Sequence, residues 1–260
     1  MRRAAAVAIF AALDLVGAGA HATSFRPRFE PTDLELEDPG TLELDLQLGP
    51  TTGDQGAGRF FLPDYELDVG LLPRFELDVD GAVALEPLSP EPGAKTRLAI
   101  GEPLWTSAKI GIADVKDVGA LDAAALGLQL GPRLPLAKDL RGAGYEALAL
   151  LGLDRGNIHV VVNAGGLVDP RVGSARRRPL GFVGGLDLVL DVDEAKRWSL
   201  LGEAGGGYYV AEYPKQLTLT GGAAWDAGPA TLSVIALYTP IGDADRLGAL
   251  VGVSPKIKLF

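Results

Sequence analysis

The chain has no cysteine, a single methionine and two histidines among its 260 residues. Without cysteine there is neither a disulfide to staple the fold nor a thiolate for metal binding or nucleophilic attack. No segment beyond the opening stretch has the roughly 18 consecutive apolar residues of a transmembrane helix, so any membrane crossing has to be made by strands closed into a barrel. Positive charge is the other shortage: 24 basic residues stand against 34 acidic ones. That balance argues against nucleic acid as a partner.

What is present begins with Met1-Arg2-Arg3, an uncharged run over 4–13 and the small-x-small triplet Ala20-His21-Ala22. This is the layout of a secretory signal, read here as residues 1–22, although Asp14 interrupts it. Its removal takes Arg2, Arg3 and Asp14 and leaves 22 basic and 33 acidic residues, a net charge near −11. Residues 23–40 are rich in proline and acid and read as an irregular periplasmic segment, ending on the turn signal Pro39-Gly40. Residues 41–260 read as one all-β unit.

Two neighbouring stretches set the pattern for that unit. In Tyr65-Glu66-Leu67-Asp68-Val69 and Phe75-Glu76-Leu77-Asp78-Val79-Asp80, apolar and acidic residues alternate, separated by the turn Leu72-Pro73-Arg74. Because strand side chains point alternately to opposite faces, one face is apolar and the other anionic. The same period of two recurs in twelve candidate strands: 41–49, 60–71, 74–86, 103–114, 123–131, 145–153, 158–166, 181–191, 198–210, 216–225, 230–239 and 247–260. It is weakest over 147–151, which is apolar throughout. Connections tend to alternate between long polar loops (50–59, 87–102, 132–144, 167–180) and short turns (72–74, 154–157, 226–229). Exceptions are 115–122, long for a turn, and 211–215, short for a loop. Even strand number, alternating connection length and an exported chain together predict a twelve-stranded antiparallel β-barrel in a bacterial outer membrane.

Several residues are candidates for carrying function. Glu43, Asp45, Glu66, Asp68, Glu76, Asp78 and Asp80 fall on the polar faces of three consecutive strands, and the up-and-down order puts them at one depth near the periplasmic mouth. Such a wall in a water-filled lumen favours cations; alternatively its members pair with inward basic residues such as Lys109. His159 and Glu203 are further inward candidates. His159 is the one histidine left after signal removal, and its inward neighbours are Val161 and Asn163, so a catalytic serine beside it would have to be Ser199 or Ser107 from elsewhere. No enzymatic activity and no cofactor are expected. A transition-metal site is not expected with no cysteine and one histidine, while the acidic cluster has the chemistry to bind calcium weakly without the loop spacing of a dedicated site. Arg176, Arg177 and Arg178 lie in a predicted external loop with the chemistry to meet lipopolysaccharide phosphates. Trp105, Trp198, Trp225, Tyr208, Tyr209, Tyr213 and Tyr238 fall near strand ends as candidates for aromatic girdles.

The run Pro39-Gly40-Thr41-Leu42-Glu43-Leu44, followed by 63–77, resembles the outer-membrane transporters grouped under the meta-pathway of phenol degradation. Members carry a hairpin of the form Glu-Leu-x-x-Gly-Leu-x-x-x-x-Glu-Leu, which Glu66 to Leu77 matches. The resemblance covers about the first fifty residues after the signal and continues only as a strand pattern. It implies a barrel and its location more strongly than transport, and it supplies no catalytic residues. The terminal Phe260 also resembles the aromatic that the barrel-insertion machinery reads, although Lys258, Lys256 and Ser254 stand where that signal is apolar. The expected function is a channel or passive transporter for small-molecule solutes, possible partners being outer-membrane lipid, lipopolysaccharide and the insertion machinery. The alternatives are a filled barrel with a structural, receptor or adhesive role, and a soluble periplasmic β-protein.

Overall fold

A computed structural model describes residues 36–52, 58–87, 95–100, 104–136, 140–172, 179–210, 215–242 and 246–260. The signal, most of the segment 23–40 and the arginines Arg176, Arg177 and Arg178 lie outside the described residues. Twelve antiparallel strands follow one another: β1 (Thr41–Thr52), β2 (Gly58–Leu72), β3 (Phe75–Pro87), β4 (Thr96–Ile100 with Leu104–Val118), β5 (Leu121–Leu134), β6 (Gly144–Arg155), β7 (Ile158–Val168), β8 (Leu180–Asp191), β9 (Trp198–Tyr209), β10 (Gln216–Asp226), β11 (Ala230–Ile241) and β12 (Leu247–Lys258). Both segments of β4 pair with β3, so they are two lengths of a single strand. Each strand pairs with its sequence neighbours and β12 pairs with β1, which closes the sheet; the outer length Thr96–Ile100 pairs with β3 alone among the described residues. No described helix is long and apolar enough to cross a membrane.

Alternation places side chains as the sequence predicts. Leu42, Leu44, Leu46 and Leu48 point outward from β1, while Asp45, Gln47 and Thr51 are buried on its inner face. The outer belt stays exposed and apolar around the barrel, as at Leu77, Leu128, Leu151, Val162, Leu186 and Val234. A contiguous apolar surface of this extent is a lipid-facing belt. Aromatics flank it at both ends. Trp198 and Trp225, cross-strand partners on β9 and β10, stack with ring centroids 5.9 Å apart, and Tyr145, Phe182, Tyr208 and Tyr238 are exposed at the other end. Two residues assigned to the girdles belong inside instead. Trp105 is buried with its Nε1 donating to the Gly131 carbonyl, and the Tyr209 hydroxyl donates to Asp169. Their inward parity outweighs their position near a strand end. Tyr213 lies outside the described residues.

Five connections gather at one end: Pro73 with Arg74, Gly119 with Ala120, Gly156 with Asn157, 192–197 and 227–229. The last residues of β12 are at that same end, beside Gly40. Short turns mark the periplasmic side of an outer-membrane barrel. The expected long connection over 115–122 is a two-residue turn, because β4 runs on to Val118 and β5 starts at Leu121, with Gly119 at φ 66°. Likewise 87–102 holds the outer length of β4.

Residues 36–40, read as irregular, lie across the periplasmic mouth and are bonded to it. Gly40 N–H donates to the Gly70 carbonyl at 2.7 Å, the Glu37 N–H to Glu76 Oε2, and Lys258 Nζ to the Pro39 carbonyl at 2.7 Å. The Leu259 N–H donates to Gly40 O at 2.6 Å, so the segment before β1 fastens to the residues after β12. Phe260 follows the end of β12 and is largely exposed.

Candidate functional site

Strand register turns the acidic residues into rows across the inner wall. Glu43 on β1 faces Asp68 on β2, and Asp68 faces Asp78 on β3. One level up, Asp45 faces Glu66 and Glu66 faces Asp80. Like charges directly opposite destabilise a sheet, so each row needs compensation. Lys256 supplies it at one edge, facing Glu43 from β12 with Nζ 3.0 Å from Glu43 Oε2 and 2.8 Å from Glu37 Oε1. Lys109 supplies it on the other side, facing Glu76 from β4 with Nζ 2.7 Å from Oε1. Ser107 Oγ donates to Asp78 Oδ2 at 2.7 Å, and Gln129 Nε2 donates to the same oxygen at 3.0 Å. Asp68, Glu76, Asp78 and Lys109 are thereby buried within a packed polar network rather than spread over an open wall.

The other inward candidates lie apart from this network. Glu203 on β9 faces Asp187 on β8 and accepts from Thr220 Oγ1 at 3.4 Å. His159 is at the turn end of β7, its Nδ1 2.9 Å from Asp154 Oδ1 and its Nε2 3.2 Å from Asp191 Oδ2. Ser199 Oγ donates to Asp191 Oδ1 at 2.9 Å, so the carboxylate stands between hydroxyl and imidazole. Ser107 is engaged with Asp78 and Gln129. Neither hydroxyl has the direct contact with the imidazole that would activate it as a nucleophile.

The lumen is unequal along its length. At the periplasmic end a vestibule of about 950 Å³ opens inside the barrel, with Glu37, Asp38, Asp114, Asp154, Asp187 and Asp191 on its walls against Arg74, Lys196 and Lys256. Six carboxylates to three permanent cations leave it net negative. Further up, two apolar clusters occupy the inner face. Trp105, Leu148, Leu150, Leu167, Val183 and Tyr209 form one, and Phe61, Ala82, Ala84, Ile235 and Leu250 the other. Leu148 and Leu150 explain the failed alternation over 147–151, because that strand is apolar on both faces. Beside the first cluster, Arg133 binds Glu146 at 2.6 Å and also Asp169, which accepts from Tyr209. Sequence reading missed this second network. Asp169 lies just past the end of β7, where strand parity carries no information, and only the register of β5 with β6 brings Arg133 and Glu146 together.

No protein-family model matches the chain, and no curated protein matches its sequence. Among solved structures it is similar to the COG4313 outer membrane channel from Pseudomonas putida F1, with a TM-score of 0.60 and 11% identity over 88% of this chain and 99% of that one. It is also similar to the NanC porin, with a TM-score of 0.58 and 9% identity over 82% of this chain and 100% of that one. At such identity the likeness is one of fold. That fold, with its closed twelve-strand sheet and apolar outer belt, is a β-barrel of the bacterial outer membrane.

Proposed function

We propose that the protein is a passive outer-membrane channel for small solutes that prefers cations, and that it performs no catalysis. The observation that carries this reading is the net-negative vestibule of about 950 Å³, which falls in the size range of small-molecule sites. Its carboxylates raise the local concentration of cations without any of them being committed to a reaction. The hairpin Glu66 to Leu77, with its resemblance to the outer-membrane transporters of the meta-pathway of phenol degradation, supports transport as the role. Insertion through the barrel machinery, read from Phe260, and contact of Arg176, Arg177 and Arg178 with lipopolysaccharide belong to the same reading.

The two apolar clusters in the upper lumen favour a second reading, a filled barrel with a structural, receptor or adhesive role. Planar-bilayer conductance and reversal potential of the refolded chain decide between them, with heat-modifiable gel mobility as the check on folding. The channel reading expects a steady current whose reversal potential shifts toward the cation value and moves back in D154N/D191N. A folded barrel that passes no current establishes the filled reading.

A further inference from the structure

Asp68, Glu76 and Asp78 each present one carboxylate oxygen to a common space, and these oxygens lie within 4.8 Å of one another. All three side chains are at least nine-tenths buried. Crowding of acids does not make a site. What points to a ligand is the balance of donors around them. The Asp68 Oδ1, the Asp78 Oδ1 and the Oε1 of the equally buried Gln129 have no hydrogen-bond partner. The nearby donors are spent on other atoms: Lys109 on Glu76 Oε1, the Glu37 N–H on Glu76 Oε2, and Ser107 and the Gln129 amide on Asp78 Oδ2. Buried acceptors left without donors cost free energy, and more so when they are charged. With all three ionised, one ammonium against three carboxylates leaves two negative charges uncompensated.

We infer that Asp68, Glu76 and Asp78 hold one divalent hard cation of calcium chemistry in the lumen wall, beneath residues 36–40. A doubly charged ion supplies the missing compensation, and an all-oxygen donor set is the one such an ion takes. Calcium–oxygen bonds of about 2.3–2.6 Å allow ligands to lie no more than roughly 4.6–5.2 Å apart, a limit that the three oxygens, all within 4.8 Å of one another, meet. Gln129 offers a neutral oxygen from β5, the strand beyond β4, and water fills the remaining positions. The loop spacing of a dedicated calcium site is replaced by strand register, with Asp68 and Asp78 opposite one another on β2 and β3. This inference does not depend on the chain passing current.

The test uses the refolded full chain stripped with EDTA, titrated with calcium chloride by calorimetry and melted with and without calcium at matched ionic strength. The expected result is one calcium bound per barrel, with an affinity of about 1 mM or tighter, as in extracellular calcium modules, and a higher melting temperature. D68N binds at least ~10-fold more weakly and loses the calcium-dependent shift, while E194Q, at an exposed turn residue, keeps both. D78N serves the same purpose should D68N not fold. The inference is overturned if the wild-type barrel binds no calcium and melts identically in calcium and EDTA. It is also overturned if D68N retains the shift, or if D68N is the more stable protein in calcium, which would mark Asp68 as a protonated partner of Asp78.

Discussion

The ammonium of Lys109 stands among carboxylates contributed by two other strands, and its side chain is almost wholly buried. Removing one partner of a buried ion pair strands the other, at a cost of about 3–5 kcal/mol. Lys109→Met is therefore expected to lower the unfolding free energy by about that much, read as the urea midpoint of the barrel's heat-modifiable form. Adding Glu76→Gln is expected to return a large part of it, since the stranded charge goes with it. The double-mutant cycle separates the pair from the rest of the network. At this scale the sequence was informative wherever strand parity held. Glu43, Asp45, Glu66, Asp68, Glu76, Asp78 and Asp80 all face inward, and Lys109 pairs with one of them. What parity does not carry is distance around the barrel. Arg133 reaches Asp169 across 36 positions, and no spacing rule announces that contact.

Strands add a constraint that single residues do not show. Leu46, at the middle of β1, faces the lipid, so Leu46→Arg is expected to destabilise the barrel by about 2–4 kcal/mol, the cost of a charge near the bilayer midplane. Gln47→Arg on the same strand faces polar company and is expected to cost less. Paired urea titrations of the two variants compare the faces of one strand directly. Close approach of backbones gives a second handle. A methyl group at Gly165 would overlap the carbonyl of Ala147 on the neighbouring strand, so Gly165→Ala is expected to disturb the pairing of β6 with β7 and lower the melting temperature. Strand number and order were legible from the twelve alternating runs. The extent of β4 was not, because an irregularity in its pairing between Gly111 and Ala113 shifts the phase of alternation. Past that point the pattern no longer continues the one before it, and a strand reads as a loop.

For the whole molecule, residues 36–40 tie the first strand, the last strand and the vestibule wall together, with Glu37 at the centre. Burial pushes the Glu37 carboxyl upward, but the Lys256 ammonium outweighs that and holds the group below its ordinary value of 4.5. A carboxyl depressed in the folded state contributes stability above its unfolded pKa and loses it as pH falls through the folded one. The segment is therefore expected to stay fastened at neutral pH and loosen as pH drops below about 4.5. Amide exchange at Glu37, set against exchange at buried strand positions of β1, measures this. Glu37→Gln is expected to exchange faster already at neutral pH. None of this was visible in the sequence, where 23–40 reads as irregular, because its partners Glu76 and Lys256 are 39 and 219 positions away.

A barrel with a vestibule at one end and, among the described residues, apolar clusters on its inner face toward the other is not equivalent from its two sides. Because the chain contains no cysteine, one introduced at Ala125 on the vestibule wall would be its sole thiol. A charged, membrane-impermeant maleimide should then react from the periplasmic face within the time of ordinary labelling and far more slowly from outside. The ratio of those two rates measures how far the lumen works as a cup rather than a pipe.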